Sequence, residues 1–340
     1  MMRTFNNFFK SGISKAIIVL LLAGLAACGA KTKKNENISS EPAQTLKPAP
    51  AFNADSAYAF IQKQVDFGPR IPNTPEHRQC RAYLASKLKQ YGATVTEQNF
   101  EANTYDGTKL YLTNIIGKLF PERKKRILLS AHWDTRPFAD KDKNEPMARF
   151  DGADDGGSGV GVILEIARIL QANPETLNVG VDIVFFDGED WGEPENYKGK
   201  RDYNQIFWCL GSQYWAKEAA ASRYSAFYGI NLDMVGAKDA KFLKEGTSSQ
   251  FAPSILRKVW KTAKKLNYSH YFVNKKAFAV TDDHQFVNTI AKIPAIDIIN
   301  YDGNDFGAYH HTVNDNMEII SKETLKAVGQ TVTQVLYDEK

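Results

Sequence analysis

Short apolar runs and amphipathic stretches alternate along this chain from about residue 54 onward, and the alternation predicts its elements. VDIVFF (181–186) is a β-rich apolar run of the kind that makes a strand buried on both faces. RILLSAHWD (126–134), YSAFYGINLDMVG (224–236) and AIDIINY (295–301) read as further strands, and ATVTEQNF (93–100) with LYLTNIIGKLF (110–120) as a strand pair. Helical periods lie between them. Residues 54–68 place Ala57, Phe60, Ile61 and Val65 on one face, and residues 76–93 form a second helix stopped at Gly92. Further helices are expected at 156–171, 211–220, 253–266 and 283–291, with a last one from about Lys322. Strands alternating with helices predict a single three-layer α/β sandwich, its central sheet mixed and mostly parallel with an antiparallel edge.

The N-terminus does not join that pattern. Arg3, Lys10 and Lys15 precede AIIVLLLAGLAA (16–27), an apolar run too short to span a bilayer, so residues 1–27 read as an export signal. LAAC (25–28) resembles a bacterial lipobox, which implies cleavage before Cys28 and lipidation of that cysteine; an ordinary signal peptide or an uncleaved anchor is the alternative. Residues 28–52 are polar and Pro-rich, as in a flexible tether, which leaves residues 53–340 as one catalytic domain. The address expected from this is a bacterial cell envelope, lipid-anchored and facing the periplasm.

Composition changes the picture only a little. A chain of 340 residues, 43% hydrophobic and 24% charged, can bury a large core. The formal charge of +4 includes three positive residues of the export signal and no acidic ones, so the mature chain carries about +1. With no basic stripe interleaved with aromatics, nucleic-acid binding is not expected. There is no CxxC pair to hold a metal, and Cys80 and Cys209 either bridge or stand as two buried thiols.

The chemistry gathers at strand ends. Four strand-like runs finish in metal-competent residues: His132 and Asp134, Glu189 and Asp190, Asp233, and the loop leading to His311. Open α/β sheets bind ligands beyond the carboxyl ends of their strands, so these residues can converge. A catalytic zinc needs three protein ligands from His, Asp or Glu and one open position. Asp155 in GADDGGSG, Asp190 and His311 are the candidates; Asp154 and Asp155 can also be simple helix caps. Residues 192–207, charged and aromatic, form either a solvated loop or a rim beside the cleft, and residues 139–152 have no assigned role.

HWD (132–134), GADDGG (152–157), FFDGEDW (185–191), INLDMVG (230–236), TDDH (281–284) and HHTVNDN (310–316) fall in the order seen in zinc exopeptidases of the co-catalytic aminopeptidase type. With FGPRIPNTPEH (67–77), the chain over roughly residues 54–338 resembles the animal-type glutaminyl cyclases built on that fold. The resemblance implies one zinc per chain held by Asp155, Asp190 and His311, with Glu189 moving protons. It implies that Asp233 and Asp282 are acids hydrogen-bonded beside Glu189, and that Trp191, Val280, Phe306 and His310 line the substrate pocket. His132, Asp134, Asp154 and Asp283 are candidates for an outer ring or a second metal. Two departures from the animal pattern touch the pocket: Trp191 directly follows the acidic pair, and His310 stands where a tryptophan precedes the zinc histidine.

The activity so implied is cyclisation of the N-terminal glutamine of peptides and proteins, by a protein expected to be a monomer. The rival is an aminopeptidase with two zincs bridged by Asp155, His132 and Asp233 supplying the extra ligands. Asp282 is expected to occupy Asp233 by hydrogen bonding and so disfavour the second metal. A third reading, a binding ectodomain without catalysis, would show missing ligands, and none is missing.

Overall fold

In the computed structural model, which describes residues 48–194, 197–200, 202 and 204–340, the chain opens with two helices, α1 (Ala54–Val65) and α2 (Pro75–Gln90). Strands β1 (Thr94–Asn103), β2 (Lys109–Leu119) and β3 (Arg126–His132) follow, then α3 (Gly157–Ala172), β4 (Gly180–Phe186), α4 (Leu210–Ala221) and β5 (Tyr228–Asp233). The last third holds β6 (Phe242–Lys244), α5 (Gly246–Phe251), α6 (Pro253–Lys265), β7 (Phe272–Lys276), α7 (Asp283–Thr289), β8 (Ala295–Ile299) and α8 (Lys322–Tyr337).

Six strands form one sheet in the order β1-β2-β4-β3-β5-β8. β4, β3, β5 and β8 run parallel, while β2 is antiparallel to both β1 and β4. This is the mixed, mostly parallel sheet with an antiparallel edge that the sequence pattern predicts. Every residue of β4, β5 and β8 is buried, as crossover helices on both faces require. Successive side chains divide between the faces. Ile127, Leu129 and Ala131 join a core with α1, α2, α3, α6 and α8, whereas Leu128 packs with Val184, Trp215 and Phe286 on the α4 and α7 side. Cys80 lies in the first core and Cys209 in the second, so the sheet separates two free thiols.

α3 is apolar nearly all round and buried along its length, a helix packed inside the protein. It sits close to the sheet because Gly159 has no side chain: a Cβ there would come 2.1 Å from the Leu232 carbonyl oxygen of β5. That contact sets the N-terminus of α3, and Asp155 just before it, at the carboxyl end of the sheet.

Three features depart from expectation. β6 and β7 pair as a small second sheet, and α5 is a short helix capped by Glu245; all three are too short to carry a period. The tether is shorter than residues 28–52. Ala49 and Phe52 donate backbone N–H groups to Gln334 and Gln330 of α8 at 3.0 and 2.8 Å, and Phe52 is buried, so the domain begins about four residues early. The export signal, Cys28 and the tether up to residue 47 lie outside the described residues. Among those described, no helix is long and apolar enough to cross a membrane.

Candidate metal and proton-transfer site

The site is assembled from loops at the carboxyl ends of β3, β4, β5 and β8, and two buried carboxylates set its backbone. Asp134, just past β3, accepts the N–H of Glu189 at 3.0 Å and of Asp190 at 3.2 Å, one on each oxygen. Gly188, at φ +69°, makes the turn that presents both acids. Asp315 does the same for the other acid pair, accepting the N–H of Asp154 at 2.8 Å and of Asp155 at 3.1 Å. Charge-assisted bonds to adjacent amides fix a turn more tightly than neutral ones.

From those turns the side chains converge. His132 Nε2 lies 3.0 Å from Asp155 Oδ1 and 3.2 Å from Asp233 Oδ1. His311 Nε2 lies 3.1 Å from Asp190 Oδ1 and 3.6 Å from Asp155 Oδ2. Asp155 therefore stands between two histidines, and Asp190, Asp155 and His311 meet at one ring nitrogen. Four groups among the described residues have ligand atoms all within 4.8 Å of one another, and two of them meet at Asp155: His132–Asp155–Asp233 and Asp155–His310–His311, the second joined by Asp190 through His311.

Which of the adjacent histidines can bind a metal follows from their outer nitrogens. His311 Nδ1 faces Asp140 Oδ1 at 3.3 Å, which holds the proton there and leaves Nε2 free to ligate. His310 Nδ1 lies 3.0 Å from the Lys141 ammonium and must accept from it, so its own proton sits on Nε2, which points at Asp155 Oδ2 from 3.7 Å. His311 can therefore offer a free Nε2 to a metal, whereas His310 is a donor. Burial and the His311 charge hold His310 well below the usual imidazole range. Burial also acts against a charge on His311, but Asp190 and Asp140 carry it to about 9.

Arg136 locks the arrangement. Fully buried, it grips Asp140 through Nε at 2.6 Å and Nη2 at 2.9 Å, while Nη1 donates to the carbonyls of Asp190 at 3.1 Å and Gly192 at 3.3 Å. Both His132 ring nitrogens, Asp155 Oδ2, both Asp190 oxygens and Asp233 Oδ1 are buried without a well-directed hydrogen bond. Orphaned imidazole and carboxylate atoms facing one another are the donor set of a divalent cation such as zinc.

Glu189 faces the other way. Burial, then the neighbouring charge of Asp190 and the acids of α7, push its carboxyl well above the usual carboxylate range, against the pull of His132. It forms a close group with Cys209 and Asp282. Asp282, the N-cap of α7, takes a hydrogen bond from Asn231 Nδ2 at 3.0 Å and another from the Asp283 N–H. Burial alone would raise Asp282, but bonding to His284 and Asp297 brings it to about 2. No hydrogen bond links it to Asp233, contrary to expectation; Asp282 acts on Asp233 as a nearby charge.

Burial dominates Asp233 and, with the nearby acids, raises it to about 7 despite His132, its nearest partner. Asp154 is structural: it accepts from the Gly236 N–H at 2.6 Å and from the Tyr309 hydroxyl. Asp283 belongs to none of the ligand groups among the described residues.

A cleft of about 360 Å³ opens above these groups. Val280, Phe306 and His310 line it as expected. Trp191 does not; it packs with Phe100, Leu112 and Tyr214 in a separate cluster beside β2. The indole in the cleft is Trp208, stacked 6.0 Å from His311 and 4.8 Å from the Arg136 guanidinium. The Cys209 N–H, bonded to the Glu189 carbonyl, ties the residue next to Trp208 to the acidic turn. Trp208, Arg136, Asp140, Asp315 and Cys209 are the residues sequence reading missed. Only the Arg136–Asp140 pair, four apart and opposite in charge, carried any local signal.

The profile of peptidase family M28 matches residues 114–336. A glutaminyl cyclase from Bacteroides thetaiotaomicron, solved bound to N-acetylhistamine, is 51% identical; the match covers 86% of this chain and 100% of that one, with a TM-score of 0.82. A Zn-dependent exopeptidase from Parabacteroides distasonis is also 51% identical over 86% of this chain and 100% of its own, with a TM-score of 0.81. A glutaminyl-peptide cyclotransferase from Dictyostelium discoideum is 25% identical over 302 residues, which is 77% of this chain and 78% of that protein.

Proposed function

The chain belongs to peptidase family M28, and from that premise we propose that it is a glutaminyl-peptide cyclotransferase, closing the N-terminal glutamine of peptides and proteins to pyroglutamate with release of ammonia. Family and neighbours imply zinc. In this reading Asp155, Asp190 and His311 hold one ion per chain. The observation that carries the reading is Glu189: a buried carboxyl in the cleft, directly beside the ligand group, which burial and the neighbouring acids push well above the usual carboxylate range.

Cyclisation needs such a group twice. The substrate's α-amine attacks its own side-chain carboxamide, an intramolecular step in which orientation does much of the work. As the new C–N bond forms, the amine proton passes to Glu189. Glu189 then gives that proton to the carboxamide nitrogen, the old C–N bond breaks, and ammonia leaves. What zinc supplies when bound is Lewis acidity at the carbonyl oxygen. Phe306, Val280 and Trp208 wall the glutamine side chain and exclude water. His310, with its proton on Nε2, offers a donor beside Asp155.

The alternative with a specific observation behind it is a two-zinc aminopeptidase, because His132, Asp155 and Asp233 form a second close group of ligand atoms. The deciding experiment compares ammonia release from a short Gln-peptide with amino-acid release from a Leu-peptide, alongside zinc counting by atomic absorption. Ammonia release with one zinc per chain is expected; free amino acids with two zincs would establish the aminopeptidase. Glu189→Gln is expected to lower ammonia release by about 10²–10⁴-fold at unchanged zinc content, and retained activity removes Glu189 from the mechanism.

Lipidation at Cys28, an envelope address facing the periplasm and a monomeric state belong to the same proposal. The first two are supported by the charged, apolar and small-residue pattern of residues 1–28. Incorporation of a labelled fatty acid that persists in Cys28→Ala would rule that anchor out.

A further inference from the structure

Beside Glu189 lies a thiol that the cyclisation steps do not use. Cys209, fully buried just ahead of α4, places its Sγ 3.0 Å from Glu189 Oε1. Its backbone N–H donates to the Glu189 carbonyl at 2.8 Å, and the next amide, of Leu210, donates to the Gly188 carbonyl at 3.0 Å. One residue thus holds both the main chain and the side chain of Glu189. To do so Cys209 adopts φ +58° and ψ +36°, left-handed backbone that costs a residue with a Cβ roughly 1–2 kcal/mol. Residues held in that region against their preference cluster at functional sites.

The thiol can only donate. Burial, then the charges of Glu189, Asp283 and Asp282, push it well above the usual thiol range, and a protonated sulfur next to a carboxylate directs its hydrogen to the oxygen. Thiols are weak donors. An S–H therefore fixes the orientation of a carboxylate while leaving it basic, which a stronger donor would not do. Cys80, the other described cysteine, is buried across the sheet among apolar neighbours, so the placement of Cys209 is particular to its loop.

We propose that Cys209 is a positioning residue for Glu189: its S–H caps Oε1, so that the proton moved during cyclisation is taken up and delivered on Oε2. The inference rests on the shuttle role of Glu189 and adds to it which oxygen works and what holds it. Without the cap both oxygens are free to turn, and the proton is presented to the amine and the leaving nitrogen in a smaller fraction of encounters.

The test is steady-state ammonia release from a short Gln-peptide by the wild type, Cys209→Ala, Cys209→Ser and Glu189→Gln, each with zinc content and thermal midpoint recorded. Loss of one hydrogen bond to a charged group predicts a kcat lowered roughly tenfold in Cys209→Ala. KM should stay within about twofold, because substrate binding is not the step affected. Cys209→Ser, which restores a donor but a stronger one, should recover only part of the loss, and Cys209→Ala should add nothing in the Glu189→Gln background. Folded Cys209→Ala with the kcat of the wild type, or with a change in KM alone, overturns the proposal. Activity retained by Glu189→Gln instead overturns the shuttle reading, so the two failures are distinct. Should Cys209→Ala not fold, the Raman S–H stretch of the wild-type protein decides. The Cys209 band should lie below that of Cys80 and rise in Glu189→Gln; a band that does not move overturns the proposal.

Discussion

Asp154–Asp155 and Glu189–Asp190 are adjacent acid pairs at the carboxyl end of the same sheet, and each is held by one buried carboxylate that accepts both backbone N–H groups. Asp315 serves the first pair and Asp134 the second. In each pair the second acid, Asp155 or Asp190, turns to the histidines. The first acids part company. Asp154 spends its oxygens on the Gly236 N–H and the Tyr309 hydroxyl and becomes a strut between two loops. Glu189 keeps one oxygen on the Cys209 thiol and stands in the cleft. The same backbone device thus yields one acid bonded to strong donors and one that faces the cleft. What separates them is the supply of donors: an amide and a hydroxyl satisfy Asp154, whereas Glu189 takes the weak donor of a thiol.

The largest effect expected from breaking this comparison is at Asp134. Asp134→Ala frees two buried amides on the turn that carries both the shuttle and a ligand. It should cost about 3 kcal/mol of stability and lower zinc affinity by roughly 10–100-fold, with ammonia release falling even at saturating zinc. Denaturant titration, zinc titration and the ammonia assay read the three. Asp315→Ala removes the same two kinds of bond, so its stability loss should also be about 3 kcal/mol. Its turn carries no shuttle, however, and kcat at saturating zinc should stay within about threefold of the wild type. Equal loss of kcat in both variants would erase the distinction between the turns.

Smaller is the effect expected of Asp154→Asn, which keeps an acceptor for Gly236 and Tyr309 while removing the charge. A loss of about 1–2 kcal/mol in stability with little change in kcat is the expected outcome; a loss of kcat as deep as that of Glu189→Gln would place Asp154 in the chemistry. Smallest is a pH effect on the Glu189 side. Behind Asp282, His284 is enclosed by Glu245, Asp282 and Asp297, with Nε2 3.0 Å from Glu245. Burial alone would lower it, but those acids raise it to about 9. A raised folded value stabilises the protein fully below the unfolded histidine value near 6.5, and that contribution fades as pH rises through about 9. Between pH 7.5 and 9 the wild type should lose on the order of 1 kcal/mol more than His284→Gln, measured by denaturant unfolding at each pH. Parallel losses in the two proteins would remove His284 as the source.

The residues legible in the sequence were those attached to a periodic element. β4 reads as a doubly buried run, so Glu189 and Asp190 could be placed just past it. β3, β5 and β8 placed His132, Asp233 and the loop to His311 in the same way. Trp208 was not legible, because it lies in a loop with no period, and Asp140 showed only its spacing from Arg136. Trp191 was misplaced for the complementary reason: adjacency in sequence to Glu189 and Asp190 put it near the site, but its half-buried indole packs with Phe100, Leu112 and Tyr214 instead.

By itself the sequence determined the strand-and-helix order, the mixed sheet, the end of the sheet where the chemistry lies and the acids and histidine able to ligate there. It could do so because hydrophobic period and residue type are local properties of a chain. Only the tertiary structure decided which groups the ring nitrogens of His310 and His311 face, which acid of each pair is a strut, which indole walls the cleft and which thiol lies against Glu189. Those outcomes depend on hydrogen-bond partners from loops far apart in sequence, and such partners exist only once the helices have brought the strand ends together.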